Sequence, residues 1–370
     1  MEEAFQTIAQ ASVSWWDFKN SLSRHAIEAS DFWLDRVHDT ISVEPVTIEP
    51  GMRDTWFDKK INHLGHSLVG RFVWLSVDSI SFEVNLSKPV QDAILKRFGL
   101  EGAYQYLPSM LSDVTELGQT STQPLADQQT FAFCYGPKIA AIWSHRANEQ
   151  STDPAITQAV LFTRAVRGGN PKIKSDPLEL QKKYQALLRK LRWNPSVLCT
   201  PLYPAYALSL VLHYDIGIKH KEVETQIRKM EADTGFHGFR DRHADLSLSK
   251  QAAIEVHELV GETSDYAGRI ASTTRKSKML ELLLDFLREA VDKGRGNNAS
   301  TGATHRSDGF SLIQRHVEVM QHRLGMLDTE LAYIEKRIQI QKDMVRREQD
   351  SFTWDISLML ILAFQRHLSV

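Results

Sequence analysis

The sequence holds only two cysteines in 370 residues, Cys134 and Cys199. Two thiols so far apart make neither a disulfide framework nor a zinc cluster, and they read as small buried hydrophobes in a reducing compartment. Charge imbalance is missing as well. The 44 Lys and Arg stand against 46 Asp and Glu, and a net charge of −2 gives no overall attraction to nucleic acid or anionic lipid. No HExxH, CxxC, phosphate-cradling GxxxxGK[ST] or nucleophile-elbow GxSxG occurs, so no motif names a reaction. The N-terminus, MEEAFQTIAQ, is acidic and lacks the apolar core of a secretion signal.

Long apolar runs are scarce too. Trp193 to Tyr214 contains no charged residue, but Pro195, Pro201 and Pro204 break its first half, and only Tyr206 to Leu212 is strongly apolar. This reads as a proline-rich loop feeding a buried helix. The C-terminal run Ile356 to Phe364 (ISLMLILAF) is half of the roughly 20 residues that a membrane-crossing helix needs. The sequence as it stands predicts no transmembrane segment, and a location in the cytoplasm or at the cytoplasmic face of a membrane.

What the sequence does contain is a seven-residue repeat. From Ser311 to about Gln349 the apolar residues fall at Ile313, Val317, Met320, Leu324, Leu327, Leu331, Ile334 and Ile338, in steps alternating four and three. Both seam positions of the heptad are apolar, the pattern that keeps one stripe of a helix against a partner. Gln341 interrupts the seam and Val345 resumes it. At about 1.5 Å per residue this helix is about 60 Å long. It is expected to lie against another long helix or another chain. The eight residues are therefore the expected interaction seam, with Leu324 and Leu331 carrying most of the association. Two-stranded and higher packings share such a seam, so the oligomeric state stays open.

The bulk composition, 42% hydrophobic and 24% charged, is that of a folded chain with one large or two ordinary domains. The aromatic-rich start (Trp15, Trp16, Phe18, Phe32, Trp33) is expected to pack on a domain surface. Strands are predicted over Arg71 to Leu86, Thr130 to Tyr135, Lys138 to His145 and Ala159 to Arg164, with a turn at Gly136-Pro137. Lys88 to Phe98 reads as a helix stopped by Gly99, with Val90, Ile94, Leu95 and Phe98 inward. Arg146 to Pro154 and Gly168 to Asp176 read as loops.

After Pro177 the chain reads as helical: Leu178 to Trp193, the buried segment Tyr206 to Tyr214, and Glu222 to Ala232 with Val223, Ile227 and Met230 inward. Leu248 to Lys293 is a second long helix. Its seam runs Val256, Val260, Thr263, Ala267, Ile270, Thr274, then shifts to Leu280, Leu284, Leu287 and Val291. Gly294 to Gly309 has the composition of a flexible loop. The fold class is therefore α+β. An N-terminal α/β domain (1–176) with a mainly antiparallel sheet precedes a helical connector (177–247), a long helical hairpin or stalk (248–350) and an apolar tail (351–370).

Candidate sites for chemistry are weak. His63 and His66 lack a third ligand nearby, and His237 and His243 flank a charged loop, so both pairs read as surface histidines. Arg164 to Arg192 gathers Arg164, Arg167, Lys172, Lys174, Lys182, Lys183, Arg189, Lys190 and Arg192 against Asp176 and Glu179. Such a patch can attract phosphate or an acidic partner, but it also fits the solvated face of an amphipathic helix. Glu258, Glu262, Asp265 and Asp328 read as solvated helix carboxylates. No catalytic, cofactor-binding or metal-ligating residue is assigned.

Four stretches carry a resemblance: Asn194 to Leu212, Ile227 to Phe239, His257 to Ser272, and above all HVEVMQHRLGMLDTELAYIEKRIQIQ, His316 to Gln341. With Tyr333, Lys336, Arg337 and Gln341 in the last, the C-terminal half resembles the cytosolic part of CorA-type magnesium channels, in particular the divergent CorA-like proteins of filamentous fungi. That family continues the stalk into a membrane helix ending in Gly-Met-Asn and then a second membrane helix. This sequence has no Gly-Met-Asn, and after Gln341 it runs into KDMVRREQDSFTWDISLMLILAFQRHLSV. No ion-binding residue carries over, and a bound magnesium ion has no motif behind it.

The resemblance implies a non-enzymatic CorA-like cytosolic domain, an assembly or regulatory module related to magnesium transport. It would associate with itself or with CorA-like subunits through the long helix, without nucleic acid, and meet a membrane only through partners or a missing C-terminal segment. Two alternatives stand beside it. One is a membrane CorA-type transporter whose gene model is truncated, with Trp354 to Val370 a misjoined tail; the other is an enzyme whose site is assembled from distant residues.

Overall fold

The computed structural model describes residues 19–20, 26–78, 83–110, 112–117, 128–136, 138–146, 155–164, 177–190, 193–234, 252–298 and 304–368. Trp15, Trp16, Phe18, the loops expected after Arg146 and from Gly168, the residues Arg167, Lys172, Lys174 and Arg192, and the pair His237 and His243 lie outside them.

Nine strands form one sheet: β1 (Lys19–Asn20), β2 (Ile27–Asp35), β3 (Thr40–Ile48), β4 (Ser67–Val77), β5 (Glu83–Val84), β6 (Ser112–Leu117), β7 (Gln128–Tyr135), β8 (Ile139–Arg146) and β9 (Ile156–Arg164). Three short helices, α1 (Arg53–Asp58), α2 (Lys88–Phe98) and α3 (Glu101–Tyr106), lie between strands in the sequence. The main order is β3-β2-β4-β9-β8-β7-β6, with β1 and β5 beside the end of β4. All pairings are antiparallel except β4 with β9 and β1 with β5. The expected α+β class, with a mainly antiparallel sheet followed by long helices, is what the chain forms.

Strand β4 reads SLVGRFVWLSV and is buried from Leu68 to Val77, as a strand covered on both faces must be. On one face Val73, Leu75 and Val77 join Val160, Phe162 and the α2 residues Ile94, Leu95 and Phe98. On the other, Phe32 and Phe72 meet at 4.9 Å between ring centroids, and Tyr203 sits 5.3 Å from each. Trp143, stacked on Phe131 at 5.2 Å, donates its indole N–H to the Pro201 carbonyl at 3.0 Å.

Helix α2 has the bounds and the inward face read from the sequence. It stops at Gly99, which takes φ 65° and returns its N–H to the Leu95 and Lys96 carbonyls. Phe32 and Trp33, expected on the surface, are instead 0% and 1% exposed. Strand β2 lies between β3 and β4 and is buried without a break from Ala29 to Trp33, so both of its faces are covered. Of the two cysteines, Cys134 is buried and Cys199 only half-buried.

After the sheet come α4 (Pro177–Lys190), α5 (Pro195–Leu198), α6 (Tyr203–Thr234), α7 (Ala252–Asn298) and α8 (Thr304–Leu368). The helical section thus has three long helices where two were expected. The segment from Tyr206 and the helix from Glu222 are one element, because only Gly217 interrupts good helix formers and Ile216 is fully buried. By contact the chain divides into two compact units, residues 1–211 with 279–320, and 212–278 with 321–370. The first holds the sheet. In the second, Val223, Ile227, Ile270, Ile334 and Ile338 form a core of their own. Among the described residues no helix is long and apolar enough to cross a membrane.

The loop expected from Gly294 to Gly309 is mostly helix at its two ends, since α7 runs to Asn298 and α8 starts at Thr304. Both glycines serve close packing inside the first unit. A Cβ on Gly294 would stand 2.8 Å from the Phe310 ring, and one on Gly309 would stand 2.1 Å from the Ser196 carbonyl oxygen. In an exposed helix Gly→Ala gains about 1 kcal/mol. Gly309→Ala is expected to do the opposite and lose about 1–3 kcal/mol to overpacking, read as a lower urea midpoint at unchanged helix content. A raised midpoint would show that the two backbones do not meet there.

Candidate functional site

Seven of the eight seam residues are buried by this chain itself: Ile313, Val317, Met320, Leu324, Leu331, Ile334 and Ile338 are each 4% exposed or less. Leu327 is half-buried. Within the first unit, Met320 accepts the Ser209 hydroxyl at 3.9 Å, and His316 stacks on Tyr206 while its Nδ1 hydrogen-bonds the phenol. Within the second, Ile334 and Ile338 pack on Val223, Ile227 and Ile270. The periodicity establishes that this stripe faces a helix; the helices it faces belong to the same chain.

Polar side chains run through the second unit's interior. Lys276 of α7 pairs with Asp215 of α6, both buried. Arg337 grips Glu231 through Nε at 2.7 Å and Nη2 at 2.5 Å. That carboxylate, by hydrogen bonding, raises the already high pKa of the guanidinium further. Ser277 donates to Asp328 at 2.5 Å, and His220 Nε2 lies 3.1 Å from Glu330. Breaking a buried pair strands a charge, so these links are specific to one register of the three helices. They also move the α7 seam. Thr274, expected inward, is exposed, while Thr273 and Ser277 are 2% and 1% exposed. An apolar seam followed from Ile270 would miss them, because the inward residues here are hydroxyls.

The other candidates stay apart. Glu262 and Asp265 are exposed, and Asp265 accepts from Arg269 at 2.8 Å; the Glu258 side chain lies outside the described residues. In the basic stretch Lys182 and Arg189 are exposed on α4, whereas Arg164 is mostly buried and its pKa is lowered by that burial. His66 approaches Asp35 at 3.5 Å, and Asp35 also bonds His38 at 2.7 Å, which holds its carboxyl at about 2. His63 is exposed. Among the described residues no group of three or more His, Cys, Asp or Glu could hold a metal ion.

One feature of α8 went unread in the sequence. Val319, Met326, Tyr333 and Ile340 recur every seven residues and are 52%, 56%, 39% and 44% exposed. In the second unit this outer stripe is flanked on one side by Lys336 with Gly325, Ala332 and Gln339, and on the other by Arg323, Glu330 and Arg337. A Cβ on Gly325 would meet only open space. The period was visible in the sequence, but one apolar residue per heptad is hidden beside a seam with two.

The two stripes separate under substitution. Leu331→Asp buries an unpaired charge and is expected to lose about 3–5 kcal/mol of monomer stability. Met326→Asp is expected to stay within about 0.5 kcal/mol. Urea unfolding of both variants at low concentration checks this, and equal losses would refute the assignment. Burial also pushes the His213 ring below the usual histidine pKa, and the Arg323 charge pushes the same way. The folded chain then binds fewer protons than the unfolded chain. Stability is expected to fall as pH drops below about 6.5. Melting temperatures from pH 7.5 downward should fall less steeply in His213→Gln.

No family model matches this chain, and no curated protein matches it. One solved structure, that of the full-length CmaX protein, is similar over 92% of this chain and 84% of that chain, with a TM-score of 0.44 and 12% sequence identity. At that level nothing about this chain's chemistry follows from the other.

Proposed function

We propose that this chain is a non-enzymatic CorA-like assembly and regulatory module related to divalent metal ion transport, and that it pairs with a second copy of itself through the outer face of α8. The sequence resemblance from His316 to Gln341 supports the first half. The second half is carried by the row Met326, Tyr333 and Ile340, an apolar stripe at heptad spacing that the chain leaves exposed. Transport, in this reading, belongs to CorA-like subunits that the module joins.

Sedimentation equilibrium tests the reading. The wild type is expected to show a reversible self-association, and Met326→Asp with Tyr333→Asp to sediment as a monomer with an unchanged helix signal. A monomeric wild type at about 0.1 mM, weaker than −5.5 kcal/mol of association, would sink it.

A further inference from the structure

A cavity of about 850 Å³ opens in the first unit where α1, α2 and the ends of β8 and β9 come together. Its lining is strongly one-signed. Helix α1 and the residues after it bring Arg53, Lys59 and Lys60, and α2 brings Lys96 and Arg97. Arg71 of β4 and Arg146 at the end of β8 make seven cations, against Asp54 and Asp58. A chain of net charge −2 has concentrated positive charge in one concave place.

The pairing of these groups shows which are committed. Arg71, fully buried, is committed through four of its five N–H groups. It donates to Asp31 at 2.9 and 3.3 Å and to the carbonyls of Phe57 and Lys59 at 3.4 and 3.3 Å, and it lies 4.1 Å over the Trp56 ring. Arg97 pairs with Asp58 where both are exposed. The others are held more loosely, Lys59 lying 5.2 Å over the Trp33 ring and Arg53 making one long ion pair. Arg53 Nε is buried without a hydrogen bond, 3.9 Å from Asp54. Lys60, Lys96 and Arg146 form no ion pair among the described residues, and Arg146 donates only to Gln128, at 3.1 Å. The Arg146 pKa is lowered by burial and then by the charge of Arg97, so two guanidinium groups repel each other across this space.

We infer that this cavity binds a small phosphorylated molecule carrying at least two negative charges. A cavity of this size encloses a small ligand, whereas a duplex or a bilayer meets an extended basic face. The volume falls in the range of small-molecule sites, about 300–1,000 Å³. Guanidinium and ammonium groups converging from separate elements match the spread oxygens of a phosphate chain. Phe57, Leu68, Ala93 and Ile156 supply apolar wall for an organic part. The site is independent of the association face on α8.

Isothermal titration of the full chain with ATP and with inorganic triphosphate, both without divalent metal, tests this. Both are expected to bind, with affinity falling as salt rises. Tighter ATP binding would assign the apolar wall to the nucleoside, and equal affinities would confine recognition to the phosphate chain. Lys96→Gln with Arg146→Gln, neither of which is in an ion pair among the described residues, is expected to weaken binding at least about tenfold, or 1.4 kcal/mol, while the helix signal and the cooperativity of melting stay unchanged. The control Lys182→Gln, on α4 and outside the lining, should bind as the wild type does. No heat from either probe at about 1 mM, or full affinity in the double variant, would overturn the assignment.

Discussion

The buried pair of Arg71 and Asp31 is the contact on which the sheet unit turns. Strand β4 is covered on both faces, yet it places an arginine in the row that holds Val73, Leu75 and Val77. A lone guanidinium there would be prohibitive. Asp31 of the neighbouring strand β2 cancels the charge, and Trp56 donates its indole N–H to the same carboxylate at 3.0 Å. Two further guanidinium hydrogens reach the Phe57 and Lys59 carbonyls, so one ion pair fastens α1 to the inner strands of the sheet. That attachment holds Arg53, Lys59 and Lys60 opposite the end of α2. The cavity is a consequence of how this charge is buried.

The long helix α8 poses a different constraint. A seven-residue repeat specifies a facing helix but not its owner. Here the stripe through Leu324 and Leu331 is consumed inside the chain, and polar links such as Arg337 with Glu231 fix which neighbours it meets. A helix has more than one face, however. With the strong seam filled, what α8 leaves exposed is the weaker row at Met326, Tyr333 and Ile340. In the proposed self-association such a row would bury less apolar area, which suits a regulated pairing better than a permanent one.

The legible parts of the fold were those in which one local signal decided the outcome. Helix α2 had an apolar face, a proline at its start and a glycine at its stop, and its bounds could be read directly. Strands β7, β8 and β9 had runs of β-branched and aromatic residues. Elsewhere tertiary structure overrode composition. Phe32 and Trp33 are inward because β2 is covered on both faces, which no propensity encodes. Gly294 and Gly309 resemble loop residues, yet they are glycines because Phe310 and Ser196 press against them. The α7 seam passes through Thr273 and Ser277, whose hydroxyls a search for apolar periodicity cannot count.

The cavity lay furthest from view, and the reason is electrostatic range. Net charge sums over the whole chain, but at physiological salt a charge is felt only within about 8 Å. A near-neutral total is thus compatible with a local field strong enough to bind an anion. The basic stretch that stood out in the sequence, Arg164 to Arg192, is contiguous, and Lys182 and Arg189 of α4 are exposed. The cations that converge do so from positions 53, 59, 60, 71, 96, 97 and 146. No window along the chain contains them all, and only the packing of α1 and α2 beside β4, β8 and β9 brings them to one place. A charge run is visible in a sequence; a charge cluster is a property of the fold.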